Sequence, residues 1–381
     1  MDSLAIYIHW PFCRSICPYC DFNRYIAPEL DWAVWETSFL KEIAYWGKRT
    51  GPRTVASIFF GGGTPSLMKP ELTKKLIEAI SHTWVLPQWS EVTLEMNPTD
   101  VEHVLAFQQA GINRISMGVQ SFNQDTLSFL GRTHTVEHIH SALAHLKSAQ
   151  MRYSFDLIYG HKHHEHGDQW TQELTQALPW VSDHLSLYEL SYEQGTPFYH
   201  KRYQTLADER ILELEDITER FLSPLGLERY EISNYATPGG QSQHNLMYWT
   251  YQDFLGLGPG AHGRLTERGC KIATQAHSLP RHWLAALEEE EPSLAINTSL
   301  SREEWLQEQL LMGLRLLKGL DITDLFLPHE EVYPSFYERI DLCRMQGLIT
   351  PVGLALTLKG RCVLNSVVTY VCSTPIIKNA V

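Results

Sequence analysis

The chain has 381 residues, 44% of them hydrophobic, with 31 Lys and Arg against 44 Asp and Glu for a formal net charge of −13. Two or three packed domains fit that content at about 150 residues each, and the 11 Trp and 17 Tyr exclude disordered and low-complexity classes. The acidic balance argues against nucleic acid, which needs a basic footprint on its phosphates. No stretch approaches the roughly 18 uninterrupted apolar residues that span a bilayer, and no secretory signal opens the chain. The expected location is the cytoplasm.

In chain order, β-rich runs at 4–8, 57–60, 92–95, 114–117, 153–158 and 184–190 alternate with helical patterns. The helical patterns cover 31–46, 69–82, 100–110, 136–149, 168–178 and 208–222. Asp31, Asp100, Asp168 and Asp208 stand where a carboxylate can accept from the free N–H groups of a helix start. Six strands alternating with six helices predict an α/β fold with a parallel sheet and right-handed crossovers, as an open doubly wound sheet or a partial barrel. The Gly-rich and polar residues cluster near the carboxyl ends of the strands, where parallel sheets bind ligands. From about Ser233 the chain turns to Gly, Asn, His and aromatics. Helices are expected at 302–318 and 333–346, and strands at 348–349, 355–358 and 363–368, as in a small winged-helix-like domain.

The seven cysteines are odd in number and unevenly spread, unlike a disulfide framework. Cys13, Cys17 and Cys20 form a C-x3-C-x2-C loop after the first strand. Three thiolates so close together can converge on one [4Fe–4S] cluster and leave its fourth iron open to a ligand. A zinc site completed by His9 is the alternative. Gly61-Gly62-Gly63 would let backbone approach a ligand closely, and Glu95 can accept hydrogen bonds from ribose hydroxyls.

The cysteine loop, taken with Phe59-Phe60-Gly61-Gly62-Gly63-Thr64-Pro65, resembles the radical S-adenosylmethionine (SAM) superfamily. Tyr7–Cys13, Arg114–Phe122 and Asp156–Gly160 are similar to one branch of it, over about 7–365 of the chain. That branch holds the oxygen-independent coproporphyrinogen III dehydrogenase and the haem chaperones related to it. The resemblance implies a partial (β/α)6 TIM-like barrel over 1–232, a haem-motif segment packed on it over 233–298, and a carboxyl-terminal domain over 299–381. It implies SAM contacts at Tyr7, Gly63, Thr64 and Glu95, and further contacts, in part to a second SAM, at Tyr19, Gln120, Arg132 and Asp156.

Two departures favour the chaperone group. The dehydrogenase continues Cys-x-Cys after its third ligand, where this chain has Cys20-Asp21-Phe22, and it carries a longer arm before the residue at Tyr7. His244-Asn245-Leu246-Met247-Tyr248-Trp249 matches a haem-associated H-N-x-x-Y-W motif. His244 is therefore a candidate axial ligand, and Tyr248 and Trp249 are candidate porphyrin contacts. A structural histidine among core aromatics is the plainer reading of His244. His262 is a second candidate.

The cofactors implied are a [4Fe–4S] cluster, SAM and haem. The partners implied are haem, haem-accepting respiratory proteins and a second copy of the chain in a homodimer, with membrane association only through the acceptors. The enzyme reading, oxidative decarboxylation of porphyrinogen propionates, stays open. One stretch departs from the branch pattern Leu-Pro-Gly-Gln-Thr: His161-Lys162-His163-His164-Glu165-His166. It is expected to be a solvated loop with adventitious metal affinity, a bound metal or haem being the sharper alternative.

Overall fold

The computed structural model describes residues 2–26, 29–289, 293–325 and 333–373. Six strands open the chain: β1 (Ser3–Trp10), β2 (Thr54–Gly62), β3 (Glu91–Met96), β4 (Arg114–Gln120), β5 (Arg152–Tyr159) and β6 (His184–Glu189). Six more follow: β7 (Glu228–Arg229), β8 (Asn234–Ala236), β9 (Asp253–Leu257), β10 (His262–Glu267), β11 (Cys270–Ala276) and β12 (Leu294–Ser299). All twelve join one sheet in the order β12-β11-β10-β9-β1-β2-β3-β4-β5-β6-β8-β7.

Strands β1 to β6 pair in parallel and in sequence order, and β9 adds a seventh parallel strand beside β1. A doubly wound sheet reverses its strand order at a switch point, whereas here every crossover steps the same way. Right-handed crossovers in one direction place the helices on one side and curl the sheet around the other, which is partial-barrel winding. The barrel stays open, because β12 and β7 are the edges of the sheet.

The strands are apolar on both faces, as buried parallel strands are: Leu4, Ala5, Ile6, Ile8 and Trp10 of β1 are all buried. The outer layer in the first half consists of α1 (Trp32–Thr50), α2 (Pro70–Thr83), α3 (Val104–Gln109), α4 (Gln124–Phe129), α5 (Val136–Ser148) and α6 (Gln169–Ala177). Then come α7 (Pro197–His200), α8 (Asp208–Leu222), α9 (Gln243–Trp249) and α10 (Pro280–Glu288). Helix α1 shows the logic. Trp35, Phe39, Ile43 and Trp46 recur at helical spacing and are buried, with Trp35 and Trp10 ring centroids 5.2 Å apart.

Of the four expected caps, only Asp31 acts as one, accepting from the N–H groups of Ala33 and Val34. Asp208 lies inside α8 behind Ala207, Asp168 makes no capping hydrogen bond, and Asp100 is buried in a 3-10 turn before α3.

The carboxyl-terminal part comprises α11 (Arg302–Gly313), α12 (Tyr333–Met345), α13 (Leu358–Arg361) and α14 (Leu364–Cys372). Leu306, Leu310, Phe336, Ile340, Val367 and Val371 belong to a second hydrophobic cluster separate from the main core. The strand expected at 363–368 is helical instead. Leu364, Val367, Val368 and Val371 are buried at i, i+3, i+4 and i+7, so helical periodicity overrides the β propensity of the valines. The winged-helix strands reduce to isolated bridges, Ile349 with Leu356 and Leu320 with Leu354. The helix expected at 302–318 ends at Gly313, where a Cβ would sit 2.2 Å from Leu320.

Candidate cofactor site

A cavity of about 410 Å³ opens at the carboxyl ends of β1 to β6. Its first wall is the loop after β1. Hydrogen bonds from Cys13 N to Tyr25 O (2.9 Å) and from Tyr25 N to Pro11 O (2.7 Å) close that loop at its base. Cys20 N donates to Cys17 O at 3.2 Å, so the chain turns back on itself between the second and third cysteines. The three thiols are partly exposed and all line the cavity. Burial raises the thiol pKa of Cys13 and Cys20, with a hydrogen bond to Thr64 opposing it at Cys13 and one to the Phe22 main chain at Cys20. Arg14, inside the loop, pairs with the buried Asp100, which also accepts from Ser66 Oγ at 2.7 Å. The residue expected to cap a helix instead tethers the cysteine loop.

The second wall is the end of β2. Gly62 N donates to Glu95 Oε2 at 3.2 Å, and Gly62 holds φ +111° against the His9 ring. A Cβ on Gly63 would lie 2.7 Å from the Phe12 carbonyl oxygen, so glycine there is a packing requirement. Glu95 and Asp156 both line the cavity, close enough for their charges to interact. Burial, and then the Asp156 charge, push Glu95 up to about 8. Burial pushes Asp156 up to about 6, opposed by Ser186, Arg114 and Arg132. Asp156 Oδ1 is buried without a hydrogen-bond partner.

The third wall comes from β4 and the turn after α4. Gln120 has φ +70° at an irregularity in the pairing of β4 with β5, a costly conformation for a residue with a side chain. Arg132 donates to Cys17 Sγ (3.3 Å), Tyr19 Oη (3.5 Å), Gly118 O (3.2 Å) and Asn97 Oδ1. Burial works against its charge, but Tyr19 and Cys17 outweigh that and hold its pKa above the usual value.

Of the sequence-derived site residues, Cys13, Cys17, Cys20, Tyr19, Gly63, Thr64, Glu95, Gln120, Arg132 and Asp156 all line this one cavity. Tyr7 lies outside that lining, its hydroxyl 3.1 Å from His9 Nδ1. His9 is itself buried, with Nε2 on the Asn23 carbonyl at 2.7 Å, so both ring nitrogens are engaged and it is not placed as a zinc ligand. Asn97 and Tyr188, which the sequence reading passed over, also line the cavity. Asn97 was within reach, since it lies two residues beyond Glu95 and alternation puts the two on one side.

His244, Tyr248 and Trp249 are not in the cavity lining. His244 is buried in α9 with Nδ1 2.9 Å from Ser57 Oγ and Nε2 3.1 Å from Tyr248 Oη. Its ring stacks on Phe59 at 5.0 Å, and burial lowers its pKa to about 3. Both nitrogens are used, which is the arrangement of a core histidine; this conformation offers no free lone pair to an iron. Trp249 lies under the Arg315 guanidinium at 4.5 Å. His262 is exposed at the start of β10.

The expected solvated loop at 161–166 is corrected in part. His161 and His164 are buried, and burial lowers them to about 2 and about 3. His166 alone of the four histidines is fully out in solvent.

Comparisons with known proteins agree with this geometry. Residues 7–172 match the model of the radical SAM superfamily. The mitochondrial radical S-adenosyl methionine domain-containing protein 1 of Bos taurus is 36% identical, over 90% of this chain and 78% of that protein. A protein of Escherichia coli named heme chaperone HemW is 36% identical, over 70% of this chain and 71% of its own length. The chain belongs to the HemW-like family of radical SAM proteins. The structure of the E. coli coproporphyrinogen III oxidase HemN superposes with a TM-score of 0.80 over 98% of this chain and 90% of that one, at 19% identity, and shows the shared fold.

The family's cofactors are a [4Fe–4S] cluster and SAM, and the residues present fit them. Three thiols line one cavity, and Asp156 beside them keeps a buried Oδ1 with no hydrogen-bond partner in the chain. Described residues include no helix long and apolar enough to cross a membrane.

Proposed function

We propose that this protein is a cytoplasmic haem chaperone whose barrel holds a SAM-coordinated [4Fe–4S] cluster and which passes haem to acceptor proteins of respiration. The observation that carries the reading is at the third cysteine. Where the dehydrogenase pattern places a further cysteine, this chain has Phe22, which is 57% exposed at the cavity rim. Ile16, 44% exposed on the same loop, joins it. An apolar rim of this kind suits a flat porphyrin face better than it suits a charged substrate. The relatives named heme chaperone HemW support the same reading.

In this reading Cys13, Cys17 and Cys20 would hold a [4Fe–4S] cluster that leaves a place for SAM. When reduced, such a cluster supplies one electron for S–C cleavage. The chain's own residues do the positioning. Arg132 places positive charge beside Cys17, Glu95 and Asp156 offer acceptors in the cavity, and Gly62 and Gly63 pack the end of β2 against His9 and Phe12 at its edge. The haem-binding groups are proposed at the mouth and not at His244, whose nitrogens face Ser57 and Tyr248.

A second reading is favoured by the presence of Tyr19, Gln120, Arg132 and Asp156 in one cavity, since by resemblance these positions serve the porphyrinogen-processing relative. That protein would be a radical SAM oxidoreductase acting on coproporphyrinogen propionates. Both readings are tested on one anaerobically reconstituted sample. Haem titration followed optically is expected to saturate, and incubation with reductant, SAM and coproporphyrinogen is expected to yield no protoporphyrinogen. Turnover without haem binding would select the enzyme.

A further inference from the structure

Behind the cavity, the loop between β5 and α6 gathers three metal-ligating side chains. His161 and His164 come from the loop and Glu173 from α6, and all three are buried. One donor atom of each lies within 4.8 Å of the others. Residues 162–164 form a single 3-10 turn, with His164 N donating to His161 O at 2.7 Å. That geometry eclipses positions i and i+3, and it brings the two imidazole centroids to 3.8 Å.

The polar atoms of this cluster are under-satisfied. Both ring nitrogens of His161 and Nδ1 of His164 are buried without a hydrogen bond. The Ile158 carbonyl lies close enough to favour a protonated His161 but does not complete a hydrogen bond to it. His164 Nε2 stands 3.4 Å from Glu173 Oε1, a long contact. The other Glu173 oxygen accepts from Ser121 Oγ at 2.7 Å, which leaves Oε1 turned toward the histidines. Arg210 fixes the loop from outside by donating to the His164 carbonyl at 2.8 Å. Buried polar atoms are nearly always paired, and three orphaned imidazole nitrogens beside a carboxylate need a partner. A cation engages one nitrogen of each ring together with the Glu173 carboxylate.

We propose that His161, His164 and Glu173 bind one divalent transition-metal ion, Zn²⁺ being the ion this donor set suits. Two imidazoles and a carboxylate form the borderline-hard N2O set that zinc accepts. Ser121 is the outer partner that orients the carboxylate, as such sites require. The ion pins the loop to α6 immediately behind Ile158, which lines the cofactor cavity. Exposed His166 and half-buried His163, whose Nδ1 is 3.2 Å from Thr126 Oγ1, take no part.

The test uses the full chain, anaerobically reconstituted, equilibrated with Zn²⁺ and freed of excess by gel filtration. Elemental analysis is expected to find one zinc per chain beyond the cluster iron. A background with Cys13→Ser, Cys17→Ser and Cys20→Ser keeps that zinc, since the cluster thiols do not hold it. His161→Gln and Glu173→Gln lose the zinc but keep the cluster iron, while the His163→Ala, His166→Ala double variant retains both. Co²⁺ in the triple-serine background is expected to show d–d bands without thiolate charge transfer. Zinc loss in the His163, His166 variant, or zinc retained in His161→Gln, overturns the proposal. If His161→Gln does not fold, the Co²⁺ titration decides: no d–d band at one equivalent overturns the proposal equally.

Discussion

Arg132 Nη1 donates to Cys17 Sγ at 3.3 Å while Nη2 of the same guanidinium donates to the Gly118 carbonyl at 3.2 Å. One side chain thus joins the cysteine loop to β4 and places a cation against Cys17, a proposed cluster ligand. Removing it should withdraw positive charge from the thiolates and leave Asn97 and the Gly118 carbonyl without their donor. Arg132→Gln is expected to lower the cluster reduction potential. It should also weaken SAM binding about 10- to 150-fold, the range for losing a hydrogen bond to a charged group. Arg132→Lys should recover only part of this, because an ammonium cannot reproduce the fork. Potentiometric titration and equilibrium SAM binding check it; an unchanged potential in Arg132→Gln would contradict the role.

Gly62 and Gly226 both have positive φ, but only one is crowded. A Cβ on Gly62 would meet the His9 ring at 2.6 Å, whereas Gly226 has nothing within 4 Å. Gly62→Ala is therefore expected to cost about 2–4 kcal/mol, backbone strain plus a clash. Gly226→Ala should cost about 1 kcal/mol from strain alone. Urea unfolding of the cluster-free protein measures both, and equal costs would show that the His9 contact is soft.

The buried carboxyls give stability a definite pH dependence. Glu95 is raised to about 8, Glu42 to about 7 and Asp156 to about 6, in each case chiefly by burial. A carboxyl raised above its ordinary value, 4.5 for Glu and 3.8 for Asp, takes up a proton on folding, so its contribution falls as pH rises toward the folded value. His244, lowered from 6.5 to about 3, must be neutral to fold, so its contribution falls as pH drops below 6.5. Between pH 6.5 and 8 only the carboxyl effect remains of these, and the cluster-free protein should lose stability across that window. Glu95→Gln should flatten the slope. Stability that rises over the same window would contradict the assignment.

The presence of six parallel strands was legible in the sequence because several end in a recognisable break, such as Gly61-Gly62-Gly63 or Asn97-Pro98. The cavity residues were legible because strand ends in such a sheet point at one face. The winding direction was not, since a doubly wound sheet has the same alternation and only pairing order separates the two. Nor was the role of Asp100: a carboxylate before a helical pattern looks like a cap, and its partner Arg14 lies 86 positions away. The helix at Leu364–Cys372 was hidden by valines, whose local preference lost to burial at helical spacing. His161 and His164 looked solvated because their neighbours are charged, and only a 3-10 turn turns them inward.

His244 provides a separation of structural from functional roles. Both its nitrogens are engaged with Ser57 and Tyr248, so His244→Ala leaves a void and two hydroxyls without their partner. The expected cost is about 2–5 kcal/mol of stability. At a temperature where the variant stays folded, its haem stoichiometry should match the parent. Loss of haem from a folded His244→Ala protein would show that α9 rearranges to expose the ring.

The most direct measurement is haem stoichiometry and onward transfer in the anaerobically reconstituted chain. The account predicts that haem binds at one equivalent, that it moves to a haem-free acceptor on mixing, and that no porphyrinogen is decarboxylated in the presence of reductant and SAM. Decarboxylation with turnover by a sample that binds no haem would contradict it.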